Sequence, residues 1–89
     1  MSDDTLVRAL EAEANDASSP LPLRMQSLMI SAGMDSSFRR TEDALQKYQL
    51  LANYHLGMGE LPRAALAISG MGEAYALAGK AKEARAYFE

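Results

Sequence analysis

One spaced pattern of small and large apolar residues occurs twice in the second half of the chain. The cleaner copy consists of Met71-Gly72, Tyr75, Gly79, Ala84 and Phe88. Met71, Gly72 and Tyr75 share one face of a helix with about 3.6 residues per turn. Gly79 follows the last periodic residue, where a glycine closes a helix at low steric cost. Ala84 and Phe88 then form the face of a returning helix, so the pattern predicts a tight antiparallel hairpin.

An earlier copy has the same spacing with different side chains. It consists of Leu51-Ala52, His55, Gly59, Ala64 and Ile68. Together the two copies resemble the tetratricopeptide repeat (TPR) family, whose unit is a helix-turn-helix. The second copy matches the family pattern except at Met71, where leucine is usual. In the first copy, Ala52 replaces the glycine, His55 the tyrosine and Ile68 the last aromatic residue. The resemblance implies helical hairpins and the binding of other proteins.

The spacing between the two copies is shorter than in the family. Gly59 and Gly79 are 20 residues apart, whereas TPR units recur at about 34 residues. Ordinary stacking is therefore excluded, and residues 61–78 must close the first hairpin and open the second. Gly70 and Gly72 would permit a break, because each costs about 1 kcal/mol in a helix interior. The apolar stripe continues through both glycines, so we prefer one shared helix.

Composition limits the chain to one small all-α domain. It has 89 residues, of which 48% are hydrophobic and 24% charged, as in globular proteins. Alanine, leucine and methionine dominate over β-branched residues, which favours helices. The chain has no cysteine, its acidic start is unlike a signal peptide, and its apolar runs are shorter than the roughly 20 residues of a membrane span. We therefore expect a cytoplasmic protein.

Periodicity and capping signals predict a small bundle of about five helices. The first ends near Asn15, and the second runs from about Leu23 to Gly33. Asp35-Ser36-Ser37 is expected to separate the second helix from the third. The predicted organisation is one domain, with residues 1–34 as an N-terminal helical hairpin and residues 37–89 as TPR-like helices.

No constellation of catalytic or metal-binding residues is evident. His55, the one histidine, occupies a position where the resembling motif buries an aromatic ring, so core packing is expected. Ser69-Gly70-Met71-Gly72 lacks the lysine of a phosphate-binding loop. The net charge of −3 is opposite to the footprint of nucleic-acid-binding proteins. We predict no enzymatic activity, no cofactor and no metal, and neither nucleic acid nor membrane as partner.

If the resemblance extends to ligand binding, the first helix of each hairpin faces the ligand. By position, the peptide-binding residues would be Gln46, Gln49, Asn53, Leu56 and Glu73. Asn53 is the strongest candidate, because a side-chain amide can both donate to and accept from a peptide backbone. The corresponding position of TPR peptide clamps is often asparagine. The alternative is that Asn53 is simply a solvent-facing polar residue.

Two apolar groups are candidate interface residues. Met25 and Met29 share one face of the second helix, and flexible thioethers suit a groove that accepts varied shapes, although they also suit a core. Tyr87 and Phe88 lie where little chain remains to cover them. A second subunit, a partner or a further part of a longer chain could cover these rings. Alternatively, the N-terminal hairpin folds back over them and closes a bundle.

These observations favour a non-enzymatic protein-interaction module, a small TPR-like adaptor or chaperone. It would bind a protein or peptide partner and could form a homo-oligomer through its terminal helix. The alternative is a structural or regulatory fragment of a larger helical-repeat protein.

Overall fold

The protein is built from α-helices joined by short connections. The computed structural model describes the backbone of residues 3–88 and the side chains of residues 5–87. The helices are α1 Asp3–Ala14, α2 Leu21–Ser37, α3 Thr41–Gly57, α4 Leu61–Leu77 and α5 Ala81–Phe88. Five helices and no strand within residues 3–88 confirm the predicted all-α class. The single helix α4 confirms the prediction that one helix is shared between two hairpins.

The helices form a flat array in chain order. Each helix packs against the next one, and α2 also contacts α4 across α3. The array measures 40 × 37 × 14 Å along its principal axes. Within residues 3–88, neither α1 nor α2 makes a backbone contact with α5. The alternative in which the N-terminal hairpin folds back over the C-terminal end is therefore wrong.

The same turn joins the last four helices. Helices α2 to α5 begin at residues 21, 41, 61 and 81, and three residues connect each consecutive pair. The middle residue of each connection has a positive φ, 64° at Arg39, 72° at Gly59 and 79° at Gly79. The amide that follows donates to a carbonyl five residues earlier, as from Glu60 to His55 at 2.8 Å. This hydrogen bond defines a Schellman motif, which satisfies carbonyl groups at the helix end.

The turn at Arg39 belongs to a third copy of the apolar pattern. Its residues are Ser31-Ala32, Asp35, Arg39, Ala44 and Tyr48. Aspartate takes the position of His55 and Tyr75, and arginine takes that of the two turn glycines. Because those two residues are polar, the pattern is not evident there in the sequence. The repeating unit is one helix and one turn, and it extends from the first residue of one helix to the first residue of the next.

Helix α2 is longer than predicted. It passes through Gly33 and ends at Ser37, so the prediction that Asp35-Ser36-Ser37 separates two helices is wrong. Asp35 and Ser36 are buried in the last turn of α2. Polar residues usually indicate a helix boundary, but here the carboxylate of Asp35 is paired with Lys47 of α3.

The core lies where α2, α3 and α4 meet. Its buried residues are Ala32, Ala44, Tyr48, Leu51, Ala52, Ala67, Met71 and Ala74. The ring of Tyr48 packs directly on the backbone of α4, since a Cβ added to Gly70 would lie 2.5 Å from Cε1 of Tyr48. Gly70 is therefore required for the close approach of the ring to α4.

Candidate functional site

Each of the three hairpins formed by α2 to α5 has a pair of equivalent positions, one on each helix, that are 12 residues apart in the sequence. In the hairpin of α2 and α3, Nζ of Lys47 contacts the carboxylate of Asp35. In the hairpin of α4 and α5, Tyr87 stacks on Tyr75 with ring centroids 5.5 Å apart. Two of the three hairpins are therefore closed at this position by a long side chain.

The middle hairpin has no such side chain. His55 of α3 occupies the position of Asp35 and Tyr75, and its counterpart at the same offset is Ala67 of α4. The methyl group of Ala67 is much shorter than the side chains of Lys47 and Tyr87, although the imidazole of His55 is itself buried. At this position the middle hairpin therefore has a short side chain where its two neighbours have a long one.

A groove that is lined in part by His55 and Ala67 lies between α2 and α4 and over α3. We call it the α2–α4 groove. Its volume is about 520 Å³, within the range of about 300–1,000 Å³ typical of ligand clefts. The residues that shape it include Met25, Met29 and Ile30 of α2, Leu51 and His55 of α3, and Leu66 of α4. The structure thus brings the predicted interface residues Met25 and Met29 together in one concave surface.

Large apolar side chains border the groove and are open to solvent. Leu23 is 50% exposed, Ile30 47% and Leu66 61%, and all three line the groove. Met25 and Met29 are half-buried and pack against the core. Contiguous apolar surface of this kind marks interaction sites in soluble proteins.

His55 is held in place from its polar side. The residue is buried, which agrees with the core packing predicted for it. Nδ1 of His55 lies 3.1 Å from Oε1 of Glu60, and the ring meets Tyr54 edge-on at 5.1 Å between centroids. The carboxylate of Glu60 can only accept, so Nδ1 is the donor. The imidazole is therefore fixed as a part of the floor of the groove.

Arg63 is the other ionisable residue that lines the groove. Its Nε lies 3.8 Å from Oε2 of Glu60, and its side chain is 65% exposed. Exposed pairs of this type contribute at most about 1 kcal/mol. The groove is thus mainly apolar, with polar groups at one end.

A buried ion pair joins the first three helices, and the sequence analysis does not predict it. Asp35 is 1% exposed, and its Oδ1 is also 3.7 Å from Nη1 of Arg40. Nζ of Lys47 additionally contacts Oε2 of Glu11 on α1 at 2.9 Å. Burial alone lowers the pKa of Lys47, but hydrogen bonds to Asp35 and Glu11 outweigh it and the pKa is raised. The constant offset between paired positions, applied to a third copy of the pattern, is the signal that could have revealed this pair.

A polar cleft of about 340 Å³ lies beside this ion pair. Arg8, Glu11, Asp35, Arg40 and Asp43 line it. Three carboxylates and two cations line it; Asp35 pairs with Arg40, and both Asp35 and Glu11 also pair with Lys47. The arrangement positions α1 against α2 and α3 and has the character of a structural network.

The residues predicted from the resemblance to bind peptide lie on another surface. Gln46, Gln49, Asn53 and Leu56 are exposed along α3, and Glu73 is exposed on α4. Nε2 of Gln49 donates to Oδ1 of Asn53 at 3.1 Å. None of the five lines the α2–α4 groove; for the four residues of α3 the reason is that Leu51 and His55, which do line it, occupy the opposite side of that helix. Peptide binding by these residues remains a prediction.

The terminal aromatic residues are described in part. Tyr87 is partly buried, because its ring lies on Tyr75 and packs against the core. The side chain of Phe88 lies outside the described residues. A role of either residue in an interface remains a prediction.

Comparisons with known proteins identify no relative. Family models, curated proteins and solved structures were each compared with the chain, and none matches it. Within the described residues, no helix combines the length and hydropathy needed to cross a membrane, and no group of three His, Asp or Glu side chains is placed to hold a metal ion. The candidate site therefore rests on its own geometry.

Proposed function

We propose that this protein is a non-enzymatic protein-interaction module, an adaptor or chaperone, that holds a segment of a partner protein in the α2–α4 groove. The observation that carries the proposal is the α2–α4 groove of about 520 Å³, which is lined mainly by apolar side chains, several of them exposed to solvent. We place its action in the cytoplasm, in keeping with the cysteine-free sequence. The TPR resemblance supports the same class of function.

The side chains around the groove suit a peptide segment with apolar anchors. Leu23, Ile30 and Leu66 can bury the surface that they now expose, at about 25 cal/mol per Å² of apolar area. Met25 and Met29 can adapt to the shape of the anchor, because methionine is unbranched and flexible. An amphipathic segment that lays one face into an apolar groove is a recurring mode of recognition.

The test uses two leucines of similar exposure. Leu66 lines the groove and is 61% exposed, whereas Leu50 is 58% exposed on a part of α3 outside the groove. Peptides are selected from a random displayed library on the immobilised protein, and their Kd is measured by calorimetry for the wild type, Leu66→Lys and Leu50→Lys. We expect at least about tenfold weaker binding in Leu66→Lys, a loss of about 1.4 kcal/mol, and unchanged binding in Leu50→Lys.

Both substitutions place a lysine at an exposed helical position, so the melting temperature of the two variants should match that of the wild type. Selected peptides that bind all three proteins equally would contradict the proposal. So would a selection that yields no peptide binding the wild type.

A role as part of a larger helical-repeat protein is the second candidate. The observation that favours it is the regular recurrence of one helix and one turn from α2 to α5, because a chain of identical units can be extended without a new type of contact. Self-association through α5 would extend the helical array in a similar way. Light scattering over a concentration series distinguishes a monomer from an oligomer.

A further inference from the structure

We infer that the partner segment in the α2–α4 groove carries an acidic side chain beside its apolar anchors, and that this carboxylate pairs with Arg63. The inference rests on the proposed function and specifies the charge of the partner. It comes from the way charge is distributed between the groove and the rest of the molecule.

The groove is lined by a cation but by no carboxylate. Among the described residues that line it, Arg63 is the only ionisable one besides His55, and none is an aspartate or a glutamate. The chain as a whole is acidic, with 12 Asp and Glu against 9 Lys and Arg. Three of these carboxylates line the polar cleft instead. The groove therefore differs in charge from the rest of this acidic protein.

Arg63 keeps its hydrogen-bond donors available. Its side chain is 65% exposed, and its Nε lies 3.8 Å from Oε2 of Glu60, beyond the roughly 3.2 Å of an N–H···O hydrogen bond. The other oxygen of Glu60 lies 3.1 Å from Nδ1 of His55. The terminal nitrogen atoms of the guanidinium group can therefore take a carboxylate in the bidentate geometry that arginine favours.

The position of Arg63 determines where the acidic residue lies in the partner. Leu66 and Ala67 follow Arg63 on α4 by three and four positions, so the three residues share one face of that helix, and all three line the groove. Neighbours at this spacing are about 5–6 Å apart along a helix. In a helical partner segment, the acidic residue is therefore three or four positions from the apolar side chain that packs on Leu66.

A segment without an acidic residue fits the groove less well. Packing on Leu66, which is 61% exposed, removes water from the neighbouring guanidinium group of Arg63, and desolvation of an unpaired charge is costly. A carboxylate replaces that water, and the exclusion of solvent strengthens its attraction to the guanidinium group. A lysine or arginine of the partner would be repelled at the same place.

The first experiment repeats the peptide selection with the charge of the groove reversed. A random displayed library is selected in parallel on the wild type and on Arg63→Glu, and the enriched sequences are compared. We expect the wild type to enrich Asp or Glu three or four positions from a large apolar residue, and Arg63→Glu to enrich Lys or Arg there. The melting temperatures of the two proteins should match, because the side chain of Arg63 is exposed.

The second experiment measures the ion pair directly. A peptide selected on the wild type, and its derivative with the acidic residue changed to the corresponding amide, are titrated by calorimetry into the wild type, Arg63→Gln and Arg85→Gln. Arg85 provides the control, because it is exposed on α5 and does not line the groove.

We expect Arg63→Gln to bind the acidic peptide about fivefold more weakly and Arg85→Gln to bind it as the wild type does. The amide peptide should bind all three proteins equally. Raising the NaCl concentration from about 50 to 300 mM should weaken the binding of the acidic peptide to the wild type but not to Arg63→Gln, because salt screens the ion pair.

Selected peptides that lack an acidic residue would overturn the inference, as would equal affinity of the acidic peptide for the wild type and Arg63→Gln. If such peptides still lose affinity in Leu66→Lys, the proposed function stands. A dimer that Leu66→Lys dissociates in light scattering would mean that a second copy occupies the groove, and would also overturn the inference. If the selected peptides bind Leu66→Lys as well as the wild type, the proposed function itself fails.

Discussion

Lys47 of α3 places its ammonium group 2.5 Å from the carboxylate of Asp35 on α2, across an offset of 12 residues. Tyr75 and Tyr87 have the same offset and form a ring stack. His55 and Ala67 are the third such pair, and both line the α2–α4 groove. One repeated position is therefore occupied by an ion pair, by an aromatic stack and by a histidine with an alanine that line the groove.

Removing the cation of this ion pair should strongly destabilise the protein. Lys47→Met leaves the carboxylate of Asp35, which is 1% exposed, without its closest partner, and the expected loss is about 3 kcal/mol of unfolding free energy. Urea denaturation measures this loss. Replacing both residues, as Asp35→Leu with Lys47→Met, should recover most of it, because no buried charge then remains.

Glu11→Gln is the control for that experiment. The carboxylate of Glu11 contacts the same ammonium group but is 42% exposed, so its loss should cost less than about 1 kcal/mol. Equal losses in Lys47→Met and Glu11→Gln would show that burial of Asp35 does not determine the energetics.

Stability should fall at alkaline pH. The pKa of Tyr48 is raised above its ordinary value of 10.0 by burial, with further contributions from the charges of Glu73 and Asp35, and the pKa of Lys47 is raised above 10.5 despite its burial, by Asp35 and Glu11. Groups with a raised pKa in the folded state stabilise it below their unfolded pKa, and this contribution is lost as pH rises through the folded pKa.

The unfolding free energy, measured in urea from about pH 8 to pH 11.5, should therefore be level at first and decrease above about pH 10. In Tyr48→Phe the decrease should be smaller, because only Lys47, and no longer Tyr48, then loses a proton in this pH range. An unfolding free energy that stays constant to about pH 11 would contradict the raised pKa values of Tyr48 and Lys47. A decrease that Tyr48→Phe leaves unchanged would contradict the contribution of Tyr48.

Two glycines should respond to alanine in opposite directions. In Gly70→Ala the new methyl group meets the Tyr48 ring at 2.5 Å, and the expected cost of overpacking is about 1–3 kcal/mol, which exceeds the gain in helix propensity. Gly57 lies in α3 with no atom within 4 Å of an added Cβ, so Gly57→Ala should stabilise by about 0.5 kcal/mol. Thermal unfolding of the two variants tests this, and a stabilised Gly70→Ala would mean that the ring does not pack on α4.

The three turns allow a reciprocal exchange. Arg39 has a φ of 64° and Gly59 has a φ of 72° at the same position of the turn. Arg39→Gly should relieve the strain of a left-handed conformation and stabilise by about 0.5–1 kcal/mol, and Gly59→Ala should destabilise by a similar amount. Opposite changes in the urea midpoint are expected, and changes of the same sign would contradict the equivalence of the turns.

The two C-terminal hairpins can be predicted from the sequence because Gly59 and Gly79 mark left-handed turns directly. The hairpin at Arg39 cannot, since arginine at a positive φ is uncommon and is no turn signal. The local pattern also predicts a break in the helix at Asp35 and Ser36, because polar residues of this kind usually mark the end of a helix. Their burial depends on Lys47, which lies on another helix, and a local pattern does not contain that contact.

The candidate site is predictable only in part. Met25 and Met29 stand out as flexible residues on one helix face, and the structure places both in the α2–α4 groove. The groove itself depends on the packing of α2 and α4 over α3, and a local sequence pattern does not contain contacts between helices that are not adjacent in the chain. Peptide binding by Asn53, predicted from the family resemblance, concerns the opposite side of α3 and is decided by the measurement below.

The most direct test of the central claim is to locate a bound peptide on the protein. A peptide selected from the displayed library is mixed with protein uniformly labelled with ¹³C and ¹⁵N, and isotope-filtered NMR records the contacts between the two. We expect intermolecular contacts from apolar residues of the peptide to the methyl groups of Met25 and Met29 and to the side chain of Leu66, which line the groove. Contacts confined to Gln49, Asn53 and Leu56 would contradict the account and would place binding on the outer face of α3.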